Sequence, residues 1–362
     1  MAESADVLVI GGGIAGLGVA AMLSGEARVI VLEAEPMPCF HSSGRSAAVY
    51  IKSYGPPGVR AATIAAEPFF LEPPEGFADA PLVKPRGLLF LDPEGGGLDA
   101  LLAETPGLVR VTPEEAAERC PVLRTDRIAE AVWEEDAQDL DVDLITGGFR
   151  RMMRAGGGHL VTSARVETLR REGGLWIAET KAGAFAAPVL VNAAGAWASR
   201  VAAMAGAAPV LVQPKRRSAA VVPPPAGVDA KDWPLFTDAK ETWYAKPSAG
   251  KLIVSPADAE PMEPCDAWPD DMVVAEGLHR FSEAVTFEVT RVERTWAGLR
   301  SFAPDGEPIC GFDDRAEGFF WLAGQGGYGV QTAPALSALA AALISGAAPA
   351  IDPAPFAPAR FG

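Results

Sequence analysis

A two-domain α/β fold is what this sequence predicts: a Rossmann-like parallel-sheet domain, discontinuous in the chain, carrying a β-sheet-rich second domain. Three observations predict it. Residues 6–33 run strand, glycine turn, helix, strand, acid; residues 206–299 are β-rich and punctuated by proline; and from Gly318 the chain returns to an apolar strand, a glycine turn and a small-residue helix.

The first strand is residues 6–10 (DVLVI), and Gly11, Gly13 and Gly16 follow with GxGxxG spacing around Ala15. The first glycine permits the tight turn, the second lets backbone approach a pyrophosphate, and the third lets the helix over residues 14–24 pack closely on the sheet. A second strand, residues 27–32, ends at Glu33 and Ala34, where a carboxylate about twenty residues past the glycines accepts hydrogen bonds from ribose hydroxyls. This order suits the ADP half of a dinucleotide without separating FAD from NAD.

Further elements follow in order. Residues 87–92 (GLLFLD) read as a strand, and residues 111–119 as a short helix with Thr112 as N-cap and Pro113 at its first position. Residues 143–154 form an amphipathic helix, 160–164 a strand, and 166–170 with 176–180 a β-meander. Residues 189–199 (VLVNAAGAWAS) read as a buried strand turning at Gly195 into a helix. A helix over 269–281 precedes a strand-rich stretch, 285–302, and residues 332–345 close as a helix that completes the first sheet.

Composition narrows the function. A net charge of −16 opposes nucleic acid as a partner. No apolar run reaches the length of a membrane span, and the first strand starts too early for a signal peptide, so a cytoplasmic location is expected. Cys39, Cys120, Cys265 and Cys310 form no CxxC pair and His41, His159 and His279 stand apart, so neither a disulfide framework nor a metal site is expected.

Six stretches in order, the glycine turn with Glu33, HSSGRSAA (41–48), VNAAGAW (191–197), QPKRRSA (213–219), TWAGLRSF (295–302) and QGGYGVQT (325–332), resemble the D-amino acid oxidase superfamily of flavoproteins, and within it bacterial FAD-dependent D-arginine dehydrogenase. The resemblance implies FAD in an extended pose and the D-amino acid oxidase fold. It places residues 1–50, 140–205 and 301–362 in the FAD-binding domain, and 51–139 and 206–300 in the substrate domain. Ser42, Ser43, Gly44, Arg45, Ser46, Ala47 and Ala48 would follow the pyrophosphate, ribityl chain and flavin. Val166 would meet the adenine end, with Ala194, Gly195 and Trp197 close to the cofactor. Gly324, Gly326, Gly327, Tyr328, Gly329, Val330, Gln331 and Thr332 would border the isoalloxazine, where backbone N–H groups at a helix N-terminus stabilise charge on a reduced flavin. With no cysteine in TWAGLRSF or the glycine turn, non-covalent FAD is expected.

For the chemistry, Arg300 is the candidate clamp for a substrate carboxylate, since a guanidinium fork binds both oxygens. The resemblance adds Arg217, Tyr54 and Tyr244 as polar site residues and the Gly327 carbonyl near the substrate amine. Lys215 and Arg216 are expected to be solvated or bound elsewhere. With these groups in place, the resemblance implies oxidation of a D-amino acid at Cα, giving an imine that hydrolyses to a 2-oxo acid and ammonia, with oxygen or a quinone-linked carrier as acceptor. Leu88 replaces the glutamate that pairs with a substrate guanidinium, and Val49 replaces a histidine. Together with Ile51 and Leu235 they predict a pocket for apolar or uncharged side chains, unless Lys52 or Lys84 turns inward. A secondary amino acid of the sarcosine, proline or glycine type is the alternative donor, and a non-catalytic flavin-binding subunit the alternative class.

Overall fold

The computed structural model describes residues 2–362. A six-stranded sheet takes the order His159–Val161, Val29–Leu32, Val7–Ile10, Val189–Asn192, Phe319–Ala323, Ile309–Phe312, parallel except for the last edge strand. Alternation along these strands sends Val7, Val9, Val29 and Val31 into one buried cluster and Leu8, Ile10, Ile30 and Leu32 into another. Burial on both faces is what makes the strands read as continuous apolar runs.

The first cluster is covered by the helices Ile14–Leu23, Val142–Ala155 and Ala333–Ser345, with Pro57–Leu71 beyond. The second packs against the meander Val166–Glu172, Leu175–Thr180, Gly183–Ala187 and the helix Ala198–Ala205. No helix among the described residues is long and apolar enough to cross a membrane.

An eight-stranded sheet has the order Arg294–Phe302, Gln213–Val222, Lys251–Ser255, Tyr244–Ser248, Leu235–Asp238, Leu88–Asp92, Glu130–Glu134, Val109–Val111. One pairing in it is parallel: Leu88 lies opposite Leu235, bringing together two segments far apart in sequence. The helix Asp271–Ala284 lies against this sheet, its N-terminus capped by Asp270. A small sheet of Val49–Tyr50, Gln138–Leu140 and Val83–Pro85 completes the strands beside the site.

Local sequence rules hold closely at the helix ends. Pro113–Arg119 starts with a capping box in which Thr112 and Glu115 satisfy each other's backbone N–H. The strand reading of residues 285–302 is too long: the strand begins at Arg294. Val285 is buried in the core beneath the sheet, with Phe287 and Val289 packed against it, so alternation is present. No neighbouring strand offers a ladder there, apart from a single bridge from Val285 to Leu123.

Candidate active site

Three connected chambers run from the end of the six-stranded sheet to the face of the eight-stranded one. The first, about 330 Å³, lies over the glycine turn and is lined by Glu33, Ala34, His41, Val166, Ala194 and Trp197 among others. Gly11 sits at φ +108, and a Cβ there would collide with the Ala193 carbonyl; one on Gly16 would collide with the Gly11 carbonyl. Both glycines are thus demanded by close approach. Glu33 is buried, its Oε2 accepting from Gly12 N–H at 2.6 Å and its Oε1 from Glu35 N–H at 2.8 Å. Those backbone donors fix the carboxylate at the chamber wall. Trp197 packs against His41 at 4.7 Å between ring centroids.

The second chamber, about 140 Å³, shares Gly13, Ser42, Ser43 and Gly195 with the first and is further lined by Ala15, Ser46, Ala47, Gly326, Gly329 and Val330. Its floor is the segment 42–46, stapled to the strand Arg294–Phe302. Ser42 Oγ donates to the Leu299 carbonyl at 2.5 Å, and the Arg45 guanidinium donates to the Ala297 and Ala267 carbonyls and to Asp266. Ser43 Oγ accepts from Ile14 N–H at 3.0 Å at the helix N-terminus. Opposite, the turn 325–330 is held by Gly326 N–H donating to the Ser301 carbonyl at 2.8 Å.

The third chamber, about 360 Å³, shares Arg217, Tyr244, Arg300 and Gly327 with the second. Its polar end holds the Arg217 and Arg300 guanidiniums. Arg217 Nε donates to the Asp258 carbonyl at 2.7 Å, and the Asp258 carboxylate accepts from Ser218 N–H at 2.6 Å, fixing the strand that carries Arg217. Arg300 Nη1 lies 3.4 Å from the Tyr54 hydroxyl. A Cβ on Gly327 would come within 2.9 Å of Arg300 Nη1, so this turn passes as close to the guanidinium as glycine allows. Burial, then the charge of Arg300, hold Arg217 below the ordinary guanidinium range. Burial also opposes charge on Arg300, yet Tyr54 and Tyr244 raise it overall. For Tyr244 burial raises the phenol and the charges of Arg300 and Arg217 lower it more, leaving it below its usual value. Such a cluster is built to receive an anion.

The other end of this chamber is apolar. Val49, Ile51, Leu88 and Leu235 line it together with Phe90 and Leu101, and Ala48 and Tyr328 also line the chamber. Lys52 pairs with Glu67 at 2.7 Å and Asp136 at 3.1 Å, and Lys84 is exposed on a short strand, so neither lines the chamber.

Not every expected residue reaches these spaces. Gly44 is packed against the Cys39 carbonyl, with no room for a Cβ. Gly324 backs onto Ala303. The Gln331 side chain bonds Ile51 and Thr63, and Thr332 Oγ1 donates to the Tyr328 carbonyl. These residues shape the loops from behind. Lys215 lies 5.2 Å from the Phe302 ring, and Arg216 is bound to Asp258 and Glu260.

Residues 6–343 match the family described as DAO, FAD dependent oxidoreductase. The chain belongs to that family. As a DAO-family member it uses FAD. A glycine oxidase of Pseudomonas aeruginosa is 45% identical over 64 residues, a match that spans only 18% of this chain and 18% of that relative. Glycine oxidase of Geobacillus kaustophilus superposes with TM-score 0.84 at 22% identity, covering 98% of each chain. L-Proline dehydrogenase of P. horikoshii gives 0.81 at 22% identity, covering 96% of this chain and 95% of that one. At such identity the two structures share the fold.

The residues present fit the cofactor. The first two chambers form one path past the helix N-terminus, with Gly11 and Gly16 too crowded for any side chain and Gly195 at φ +53 facing open space. Gln325, which lines the second chamber, has a buried Nε2 donor without a partner among the described residues. A buried unpaired donor of this kind matches a ligand rich in acceptors.

Sequence reading missed several lining residues of the third chamber: Ser53, Arg60, Thr237 and Glu241. Glu241 stands at φ +50 in a turn whose Asp238 carboxylate accepts from Thr242 N–H at 2.6 Å, and it is exposed at the chamber mouth. Its only signal was a polar turn just before Tyr244. Arg60 comes from the helix Pro57–Leu71 and donates to the Gly55 carbonyl at 2.8 Å.

Proposed function

We propose that this DAO-family enzyme oxidises an α-amino acid with an apolar or uncharged side chain, of D configuration, to the imino acid, which water converts to a 2-oxo acid and ammonia. The observation carrying this reading is the third chamber: the guanidiniums of Arg217 and Arg300 with the phenols of Tyr54 and Tyr244 at one end, and the aliphatic wall of Val49, Ile51, Leu88 and Leu235 at the other. Arg300 binds the carboxylate, helped by Arg217, Tyr54 and Tyr244, and the Gly327 carbonyl accepts from the neutral amine. Bound FAD supplies a two-electron acceptor for the hydride leaving Cα. The clamp holds the Cα–H bond towards the second chamber, and no side chain is required as an obligate base, because positioning and electrostatics act on a neutral amine. The D configuration rests on the resemblance of the six motif stretches.

FAD is held without a covalent bond in this reading. The second chamber has no cysteine in its lining. Cys39, in the first, is pushed up to about 12 by burial and then by the charge of Glu33, which keeps it a thiol.

A second reading, oxidation of a secondary amino acid or glycine, is favoured by the likeness to glycine oxidases and L-proline dehydrogenase. Arg300 serves a carboxylate equally there. Anaerobic mixing with D- and L-amino acids, glycine, N-methylglycine and proline, followed by loss of flavin absorbance, decides. Fastest bleaching by apolar D-amino acids supports the first reading; fastest bleaching by the cyclic or N-methyl compounds replaces it with the second, and arginine as the best donor removes the role given to Leu88.

A further inference from the structure

The sheet face beneath the second chamber continues beyond it. In the pairing of Gln213–Val222 with Arg294–Phe302, Arg217 lies opposite Gly298, Ala219 opposite Trp296 and Val221 opposite Arg294. Alternate residues on one face therefore run from Arg300 past Gly298 and Trp296 to Arg294. Beyond Trp296 lies an open groove of about 580 Å³. Arg45, Ser46 and Trp296 line both the groove and the second chamber, so these three side chains are the partition between cofactor space and solvent. The partition is rigid: Trp296 Nε1 donates to the Arg45 carbonyl at 3.0 Å, and the Arg45 guanidinium is fixed by Asp266 and two carbonyls.

The groove has an unusual lining for a surface. Trp268 is 76% exposed on it, and the Arg294 guanidinium, also exposed, lies 5.8 Å from the Trp296 ring centre. An indole left so open, in one groove with a second indole and a cation, marks a site for a flat aromatic ligand that gains negative charge.

We propose that this groove seats the enzyme's electron acceptor, a quinone whose ring lies against Trp268 and Trp296 with its oxygens towards Arg294. The quinone takes up two electrons and two protons and leaves as the hydroquinone, while the cofactor returns to its oxidised form; the protons come from the reduced cofactor and from solvent, which the open groove admits. Arg294 stabilises the charge that builds on the quinone oxygens as electrons arrive. The third chamber opens on the other side of Arg300 and Tyr244, so acceptor and amino acid do not compete for space. Dioxygen, being small and non-aromatic, has no use for the two indoles.

The test uses holoenzyme reduced anaerobically with dithionite, then mixed with a short-chain benzoquinone while flavin absorbance recovers. Trp268→Ala and Arg294→Gln alter groove residues that do not line the cofactor chambers. Trp268→Ala is expected to slow reoxidation at subsaturating quinone by about tenfold. Equilibrium dialysis of the oxidised holoenzyme against the quinone shows the same loss of affinity, and Arg294→Gln lowers the reoxidation rate more than the affinity. The flavin spectrum and the rate of reduction by dithionite stay unchanged. Equal reoxidation and equal quinone binding in wild type and Trp268→Ala overturn the proposal, as does slowing of dithionite reduction to the same degree. Because dithionite replaces the amino acid, a wrong donor assignment leaves this experiment intact.

Discussion

The Arg300 guanidinium and the Tyr54 hydroxyl face each other at 3.4 Å across the third chamber, one carried by a strand and the other by a loop. At that separation the contact is weak, and among the described residues it is the one hydrogen bond the Arg300 side chain makes. A half-buried guanidinium with most of its five donors free is poised for a ligand. Arg300→Ala is expected to lower kcat/KM by about 10³-fold, roughly 4 kcal/mol. Arg300→Lys keeps the charge but loses the fork, and recovers only part of that. Anaerobic bleaching rates measure both, and an Arg300→Ala enzyme within a few-fold of wild type removes the clamp.

Tyr54 contributes its hydroxyl more than its ring. The ring packs edge-on against Tyr328 with centroids 4.9 Å apart, a contact phenylalanine reproduces. Tyr54→Phe is expected to raise KM by about fivefold, near 1 kcal/mol, with a smaller change in kcat. A KM equal to that of wild type shows that the hydroxyl does not meet the carboxylate.

Tyr244 predicts an alkaline limb. Burial raises its phenol, but Arg300 and Arg217 together bring it below the ordinary value of about 10. As pH rises through the lowered value the donor becomes a phenolate, which repels the carboxylate it had steered. The kcat/KM profile falls there in wild type, and Tyr244→Phe flattens that fall at a lower plateau. A limb that survives unchanged in Tyr244→Phe belongs to another group.

The glycine turn, the capped helices and the Arg217 and Arg300 stretches were legible because short spacing or a recognisable motif determined them. Glu241 and Arg60 were not. Glu241 follows Leu235–Asp238, which a parallel pairing that no local pattern announces sets beside Leu88–Asp92, and Arg60 reaches the chamber from the helix Pro57–Leu71. Residues 285–293 misled for the opposite reason. Their alternation is real, but a strand also needs a neighbour to supply a hydrogen-bond ladder, and strand partners are set by topology.

Leu88 is 2% exposed and sits between Leu235 and Glu134 in register, at the aliphatic wall. Leu88→Glu places a carboxylate among Val49, Ile51 and Phe90, three apolar side chains that give it no hydrogen bond, so a cationic substrate becomes its counter-ion. The ratio of kcat/KM for D-lysine over D-leucine is expected to rise at least about tenfold, with rates on apolar substrates falling, as one recovered buried ion pair requires. An unmoved ratio places the substrate side chain elsewhere than against Leu88.

Asp313 ties the antiparallel edge of the six-stranded sheet to its interior. Its Oδ2 accepts from Trp321 Nε1 and Ala208 N–H, both at 2.9 Å, and its Oδ1 from Arg315 N–H at 2.9 Å and Ala316 N–H at 2.8 Å. Burial raises this carboxyl, but the four donors, Trp321 first, lower it more, so its folded value lies below the unfolded one. A depressed carboxyl adds stability above its unfolded pKa, about 3.9, and that stability disappears as pH falls through the lower, folded value. Asp313→Asn turns an N–H group towards two N–H donors, which costs about 2–3 kcal/mol at pH 7. Urea unfolding of wild type and variant holoprotein, at neutral pH and then in steps below pH ~4, measures this. The gap between the two midpoints is expected to narrow on acidification, because the wild type loses what the variant never had. A gap that stays constant across that range means the carboxylate's charge contributes nothing, leaving packing around Trp321 as the source of the loss.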